Sequence, residues 1–405
     1  MKAKMTAIAA TVVAACAAGF AGPAAAQISG DVVKIGLITD LSGVYIDIDG
    51  QGGIEAIKMA IADFGGSVNG KKIELITADH QNKADIAASK AREWFDQQGV
   101  DMLIGGTNSG TSLAMAKVAG EKKKTFIAVG GATARLTNEE CTPYTIHYAY
   151  DTVALAKGTG SAIVKNGGKS WYFLTADYAF GASLEKDTSD IVKANGGTVV
   201  GAVKHPLGAS DFSSFMLQAQ ASKAQILGLA NAGGDTINSI KTANEFGITK
   251  TQRLAALLAF INDIHALGLP IAKGMLLTES FYWDMNDETR KWARRYFERM
   301  KKMPNMIQAG TYSSIMHYLR AVQATGTDDT ATVMAKMKST PINDFFVKNG
   351  RIREDGRMLR EMYLFEVKQP SESKYPWDYY KLKATIPANE AFLPAAKSVC
   401  PLLRK

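Results

Sequence analysis

VVKIGLITDLSGVYIDIDGQGGIEAIKMA, residues 32–60, runs from an apolar strand through a glycine-rich bend into a helix. That order opens both dinucleotide-binding units and phosphate loops, so the bend decides which kind of α/β chain this is. Gly50 and Gly52 supply the first two glycines of a G-x-G-x-x-G pattern, but Glu55 stands where the third belongs. The fingerprint is incomplete, and a turn that lets the chain enter a helix is the favoured reading. No cofactor is expected.

Outward from this stretch the alternation repeats. KKIELITAD precedes KADIAASKAREWFDQQG, VDMLIGG precedes TSLAMAKVAGEKK, and TFIAVGG runs into a loop. Strand and helix taking turns predict a largely parallel sheet covered on both sides. The pattern breaks near residue 145 and restarts at KSWYFLTADYAFGASLEKDTSDIVKANG, so two similar lobes in tandem are expected: an α/β fold of two doubly wound, Rossmann-like sheets. Three further helices are expected after GMLLTES. PINDFFVKNGRIREDGRMLREMYLFEVKQP alternates and turns at KNG and EDG, as a hairpin at a sheet edge does. The last residues, 381–405, carry no strong period and are expected to pack as a tail over the surface.

The first 26 residues join Lys2 and Lys4 to an apolar run and a small-residue site ending at Ala26, the pattern of a cleaved secretory signal. VAAC, ending at Cys16, offers a lipoprotein processing site as the competing reading. Export to the periplasm, with the mature chain starting at Gln27, is expected. Losing Lys2 and Lys4 lowers the formal charge from +8 to +6. The remaining basic residues form no stripe with aromatics, so no nucleic-acid partner is expected. Cys141 and Cys400 are the only cysteines beyond the signal. In an oxidising compartment they pair to tie the tail to the first lobe, or stay as two buried thiols.

Ligands of open α/β sheets bind beyond the carboxyl ends of the strands. With two facing lobes, that rule gathers Tyr45, Asn108, Ser109, Gly131 and Thr133 from the first lobe, and Tyr150, Phe180, Asn231 and Asp235 from the second. Tyr282 and Trp283 are expected to enter at the hinge. Gly105 and Gly110 have phosphate-loop spacing, but Thr111 replaces the lysine, which leaves a helix N-terminus with hydroxyls, suited to one carboxylate. An ordinary helix cap is the alternative. The aromatic residues at these ends suit an apolar slot. The five histidines are dispersed and no G-x-S-x-G elbow occurs, so neither metal site nor enzyme is expected.

VKIGLITDLSGVYIDIDGQGGIEAIKMAI, DMLIGGTNSGTSLAMAKVAGEKKKTFIAVGGATARLT, YFLTADYAFGASL and GRIREDGRMLREMYLFEVK, in this order, resemble the type I periplasmic substrate-binding proteins of ABC uptake systems. The family includes the leucine/isoleucine/valine-binding proteins. The resemblance implies residues 27–147 and 275–350 as an N-terminal lobe and 148–274 and 351–380 as a C-terminal lobe. It also implies a hinge of three crossings, near 147–151, 272–278 and 350, a monomer, and a membrane permease as partner. By the same resemblance Asn108 or Ser109 and Gly131 with Thr133 hold a carboxylate, and Phe180 closes over the ligand. Amino-acid binders of the family place an acid in the second lobe for the ammonium. RLAALLAFIND has Leu257 and Leu258 there and no carboxylate before Asp263. The resemblance therefore points to the branch that binds benzoate-like or cinnamate- and coumarate-like acids. Branched-chain amino acids, keto acids, short amides, or a sensing role with a membrane receptor or kinase are the alternatives.

Overall fold

The structure is a computed structural model that describes residues 27–404. The signal segment, with Cys16 and the cleavage site at Ala26, lies outside the described residues.

The first lobe holds β1 (Val32–Thr39), α1 (Gly50–Phe64), β2 (Ser67–Val68), β3 (Lys71–Asp79), α2 (Ala84–Gln97), β4 (Met102–Gly105), α3 (Ser109–Lys122), β5 (Thr125–Ala128) and β6 (Thr145–His147). Its sheet runs β2-β3-β1-β4-β5-β6, parallel throughout except for the short β2–β3 pair. Val33, Ile35, Leu37 and Ile38 of β1 are all buried, because helices cover both faces of a parallel sheet. That double cover is why its strands read as unbroken apolar runs.

The glycine-rich bend packs closely against side chains from two later helices. A Cβ on Gly52 would come within 2.4 Å of the Gln308 and Tyr296 side chains, and one on Gly53 within 2.1 Å of Asp49 Oδ1. These glycines serve close packing at the start of α1.

The second lobe follows with α4 (Thr152–Leu155), a π-helical turn (Ala156–Gly160), α5 (Ser161–Lys165), β7 (Ser170–Ala176), α6 (Ala179–Ala194), β8 (Thr198–His205), α7 (Ser213–Ala221), β9 (Ile226–Ala230), α8 (Gly234–Glu245), β10 (Arg253–Ala256), α9 (Ile261–Leu267) and α10 (Leu269–Ala272). Its parallel sheet runs β10-β9-β7-β8. The chain continues through β11 (Leu276–Glu279), α11 (Asp287–Met300), α12 (Met306–Thr325), α13 (Thr330–Ser339), β12 (Arg351–Ile352), β13 (Met358–Leu359), β14 (Met362–Val367) and β15 (Tyr380–Ile386).

Three expectations change here. β11 lies in an antiparallel sheet of order β11-β14-β15, against the π-helical turn of the second lobe, where Thr278 and Thr159 hydroxyls meet at 2.8 Å. Residues 275–279 therefore leave the first lobe, which resumes at α11 and α12 packed on α1. The EDG turn does close a hairpin, β12–β13, but His147 pairs with Arg357 beside β6, so this hairpin belongs to the first lobe. The tail expected from residue 381 begins as β15, paired with β14. The crossings between lobes accordingly fall at 148–151, 280–286 and 360–361. Local pattern could not assign these partners, because pairing across such separations leaves no periodic trace.

Candidate functional site

The carboxyl ends of six parallel strands converge on a narrow cavity between the lobes, with about 20 Å³ of free space. From the first lobe come Tyr45 and Ile48 after β1, Thr107, Asn108 and Ser109 after β4, Gly130 and Ala132 after β5, and Ile307 at the start of α12. Tyr150 comes from the first crossing. The second lobe adds Tyr178 and Phe180 after β7, Ala232 after β9, and Leu258 and Phe260 after β10. None of these wall residues carries a formal charge.

Each wall segment is held from behind. Asp40 at the end of β1 accepts the N–H groups of Gly43 (2.7 Å) and Tyr45 (2.9 Å) and the Asn82 amide (2.7 Å), which folds the loop that presents Tyr45. His80 Nε2 lies 3.1 Å from the Thr107 carbonyl. Burial holds the His80 ring below its usual range, which favours the neutral form. Asp263, in the first turn of α9, accepts the Phe260 N–H at 2.9 Å and fixes that ring. Tyr150 donates its hydroxyl to the Gly130 carbonyl at 2.9 Å.

The polar corner is the β4–α3 turn. Asn108 caps α3: its Oδ1 accepts from Gly110 N (2.8 Å) and Thr111 N (3.1 Å), at a φ of 73° that an asparagine tolerates. Ser109 Oγ accepts from Ala132 N (3.1 Å) and Thr133 N (3.0 Å), so both lone pairs are used and its proton remains to be donated. Thr107 Oγ1 is buried and has no protein partner. The corner thus offers two hydroxyl donors to a bound anion.

The lobes touch across the cleft. Tyr45 and Tyr178 hydroxyls are 2.5 Å apart, the Gly234 N–H donates to the Val44 carbonyl (3.2 Å), and Asn305 Nδ2 donates to Asn262 Oδ1 (2.9 Å). Burial raises both tyrosines above their usual range and keeps them neutral. Thr133 also belongs to this contact. Its hydroxyl lies 2.7 Å from Ser183 Oγ on α6, turned toward the interlobe rim and away from the cavity.

Of the residues expected at the site, Tyr45, Asn108, Ser109, Tyr150 and Phe180 reach the cavity wall. Gly131 packs behind it, where a Cβ would meet Ser112 Oγ at 2.1 Å. Asn231 bonds His205, Ser239 and Thr236 within the second lobe. Asp235 accepts from Gly208 N at 3.1 Å, and burial pushes its carboxyl up to about 6. Tyr282 and Trp283 both donate to the Trp377 carbonyl, at 3.1 and 2.9 Å, inside a packed aromatic cluster with Phe365 and Tyr380. Among the wall residues outside that expected set are Thr107, Tyr178, Leu258, Phe260 and Ile307. Tyr178, Leu258 and Phe260 carried a signal, since all follow strands of the second lobe.

Among the described residues no group of three or more His, Cys, Asp or Glu side chains is placed to hold a metal ion. Cys141 and Cys400 form a disulfide, with Cα atoms 5.9 Å apart.

The family model for periplasmic binding proteins matches residues 32–374. A crystal structure of a periplasmic binding protein from Burkholderia mallei is 67% identical, with a TM-score of 0.91 over 92% of this chain and 99% of that one. A branched chain amino acid ABC transporter periplasmic ligand-binding protein from Burkholderia xenovorans is 38% identical, with a TM-score of 0.81 over 92% of this chain and 100% of that one. A Leu/Ile/Val-binding protein homolog from Brucella melitensis is 24% identical over 367 residues, covering 87% of this chain and 92% of that protein. With this fold, this closed cleft and these relatives, the chain belongs to the periplasmic binding protein family, whose type I members are non-catalytic two-lobed binding proteins.

Proposed function

We propose that this protein is the periplasmic solute-binding component of an ABC uptake system, and that its solute is a small aromatic carboxylate without an amine. The coarser part, capture of a small solute for a membrane permease, is supported by the family and by relatives over nearly the whole chain. The finer part is carried by one observation: the cavity wall combines two hydroxyl donors with tyrosine and phenylalanine rings and includes no carboxylate. A buried ammonium without a counter-charge is expensive. Glu279, a buried acid near Tyr150, is bonded to the Tyr380 hydroxyl at 2.8 Å and is not part of the wall.

A branched-chain amino acid is the second reading, favoured by the names of the Burkholderia xenovorans and Brucella relatives. Calorimetry on the mature protein with benzoate, cinnamate, 4-methyl-2-oxopentanoate and leucine separates the two. The proposal expects an aromatic acid to bind at roughly micromolar Kd or better, and its methyl ester to lose about 2 kcal/mol or more. Tight leucine binding with no response to any aromatic acid selects the second reading.

A further inference from the structure

Two arginines of the segment GRIREDGRMLREMYLFEVK have no part in the cavity, yet they are among the largest fully buried side chains of the protein. Arg357 sits immediately before β13 and Arg360 on the third crossing. Arg357 Nη1 donates to the Tyr150 carbonyl at 2.9 Å and lies 3.5 Å from Asp151 Oδ2, both on the first crossing. Arg360 Nη2 donates to the Ser280 carbonyl, on the second crossing, and to the Phe346 carbonyl at 2.6 Å. Each guanidinium also lies over a ring, Arg357 on Phe392 at 4.5 Å and Arg360 on Phe346 at 3.9 Å.

Burying a guanidinium is costly, and an apolar side chain of similar volume usually fills such a space at lower free energy. Arg360 has no carboxylate within ion-pair distance among the described residues, and the only one for Arg357 apart from its neighbouring turn is Asp151 at the limit of reach. What an arginine adds, and a methionine or lysine does not, is a rigid fork of donors that holds carbonyls from separate chain segments. Here Arg357 Nη1 holds the first crossing, and Arg360 Nη2 joins the second crossing to Phe346, while the other terminal nitrogen of each guanidinium is buried without a partner. The carbonyl gripped by Arg357 belongs to Tyr150, whose ring stands edge-on to Phe260 of the second lobe and whose hydroxyl reaches Gly130 of the first.

We propose that Arg357 and Arg360 join the three crossings into one hinge, and that Arg357 is a positioning residue for the ligand cavity, acting through Tyr150. Closure of the cleft then depends on both guanidinium groups although neither touches the ligand. The proposal rests on cleft closure and not on the identity of the solute, so its test uses the ligand-free protein.

Thr133→Cys with Ser183→Cys makes a reporter, because the two native hydroxyls lie 2.7 Å apart across the closed cleft. Under mild oxidation the reporter cross-links at the rate at which the lobes meet. Arg357→Lys and Arg360→Lys, which keep the charge and lose the fork, are expected to slow cross-linking roughly tenfold. Arg92→Lys is the control, since Arg92 is an exposed residue of the first lobe bonded to Glu121 and touches neither a crossing nor the C-terminal segment; it should cross-link at the parent rate. Folded Arg357 and Arg360 variants that cross-link at the parent rate overturn the proposal, and so does equal slowing by Arg92→Lys. If the lysine variants lack a cooperative melt, hydrogen exchange on the unsubstituted protein decides. Amides of the three crossings should then share one opening free energy, and protection differing more than about tenfold between them defeats the idea.

Discussion

Ser109 and Thr107 use the same functional group in opposite ways. The Ser109 oxygen is committed to two backbone N–H groups, whereas Thr107 Oγ1 is buried without a protein partner. Thr107→Val keeps the shape and strands nothing in the free protein, so stability should stay within about 0.5 kcal/mol of the parent or rise. Binding of a carboxylate should weaken by about 1.5 to 3 kcal/mol, while a neutral amide of the same ring loses little. Ser109→Ala should differ by costing stability as well, about 1 to 3 kcal/mol, because two buried N–H groups lose their acceptor. Thermal melts and titrations on both variants check the contrast, and a Thr107→Val protein with parent affinity for every anion removes that hydroxyl from the site. Thr133 shows what one-residue reasoning misses. A hydroxyl at a strand end can turn inward or toward the facing lobe, and Ser183 captures this one.

The parallel strands were legible because both of their faces are buried. MLIG and TFIA, β4 and β5, are buried at every position, and such runs need no partner information to be recognised. β15 is the opposite case: YKLKATI exposes most of its length and alternates with lysines, so its pairing with β14 comes from long-range contacts alone. The same limit governs the site. The strand-end rule brings Tyr45, Ser109 and Phe180 to the cavity, but ring composition could not separate that wall from the cluster that absorbs Tyr282 and Trp283. β11 carries a testable cost. Burial pushes its Glu279 carboxyl up to about 8, partly offset by the Tyr380 hydroxyl and reinforced by Asp263. A raised folded-state value means that the native protein holds this proton more tightly than the unfolded chain, so stability falls as pH climbs from about 4.5 to about 8. Glu279→Gln cannot ionise. Between pH 5 and pH 8 its urea-unfolding free energy should decline less than that of the parent, by about 1 kcal/mol or more. Identical pH slopes would mean that Glu279 is not protonated in the native state.

At the scale of the molecule, the C-terminal segment makes a fourth connection between the lobes. It leaves β15 in the second lobe and ends at Cys400, which is bonded to Cys141 of the first. On the way, Lys157 of the second lobe donates to the carbonyls of Glu390 (2.6 Å) and Phe392 (2.7 Å), and near its end Asn138 Oδ1 accepts from Ser398 Oγ (3.0 Å) and Val399 N (2.7 Å). Phe392 lies against Arg357 at the hinge. A strap fixed to both lobes restrains how far they separate, and the disulfide is its covalent end. Paired Cys141→Ser and Cys400→Ser substitutions should therefore have two effects. Stability should fall by about 2 to 4 kcal/mol, since the bridge removes loop-closure entropy from the unfolded chain. Independently, the ligand-free protein should open more widely, read as a larger radius of gyration by small-angle scattering, while a saturating ligand should bring parent and variant back to the same compact value. The two readings separate the roles. A lower melting temperature with unchanged ligand-free dimensions would leave the bridge as a stabiliser of the folded chain and assign the opening angle to the three crossings alone.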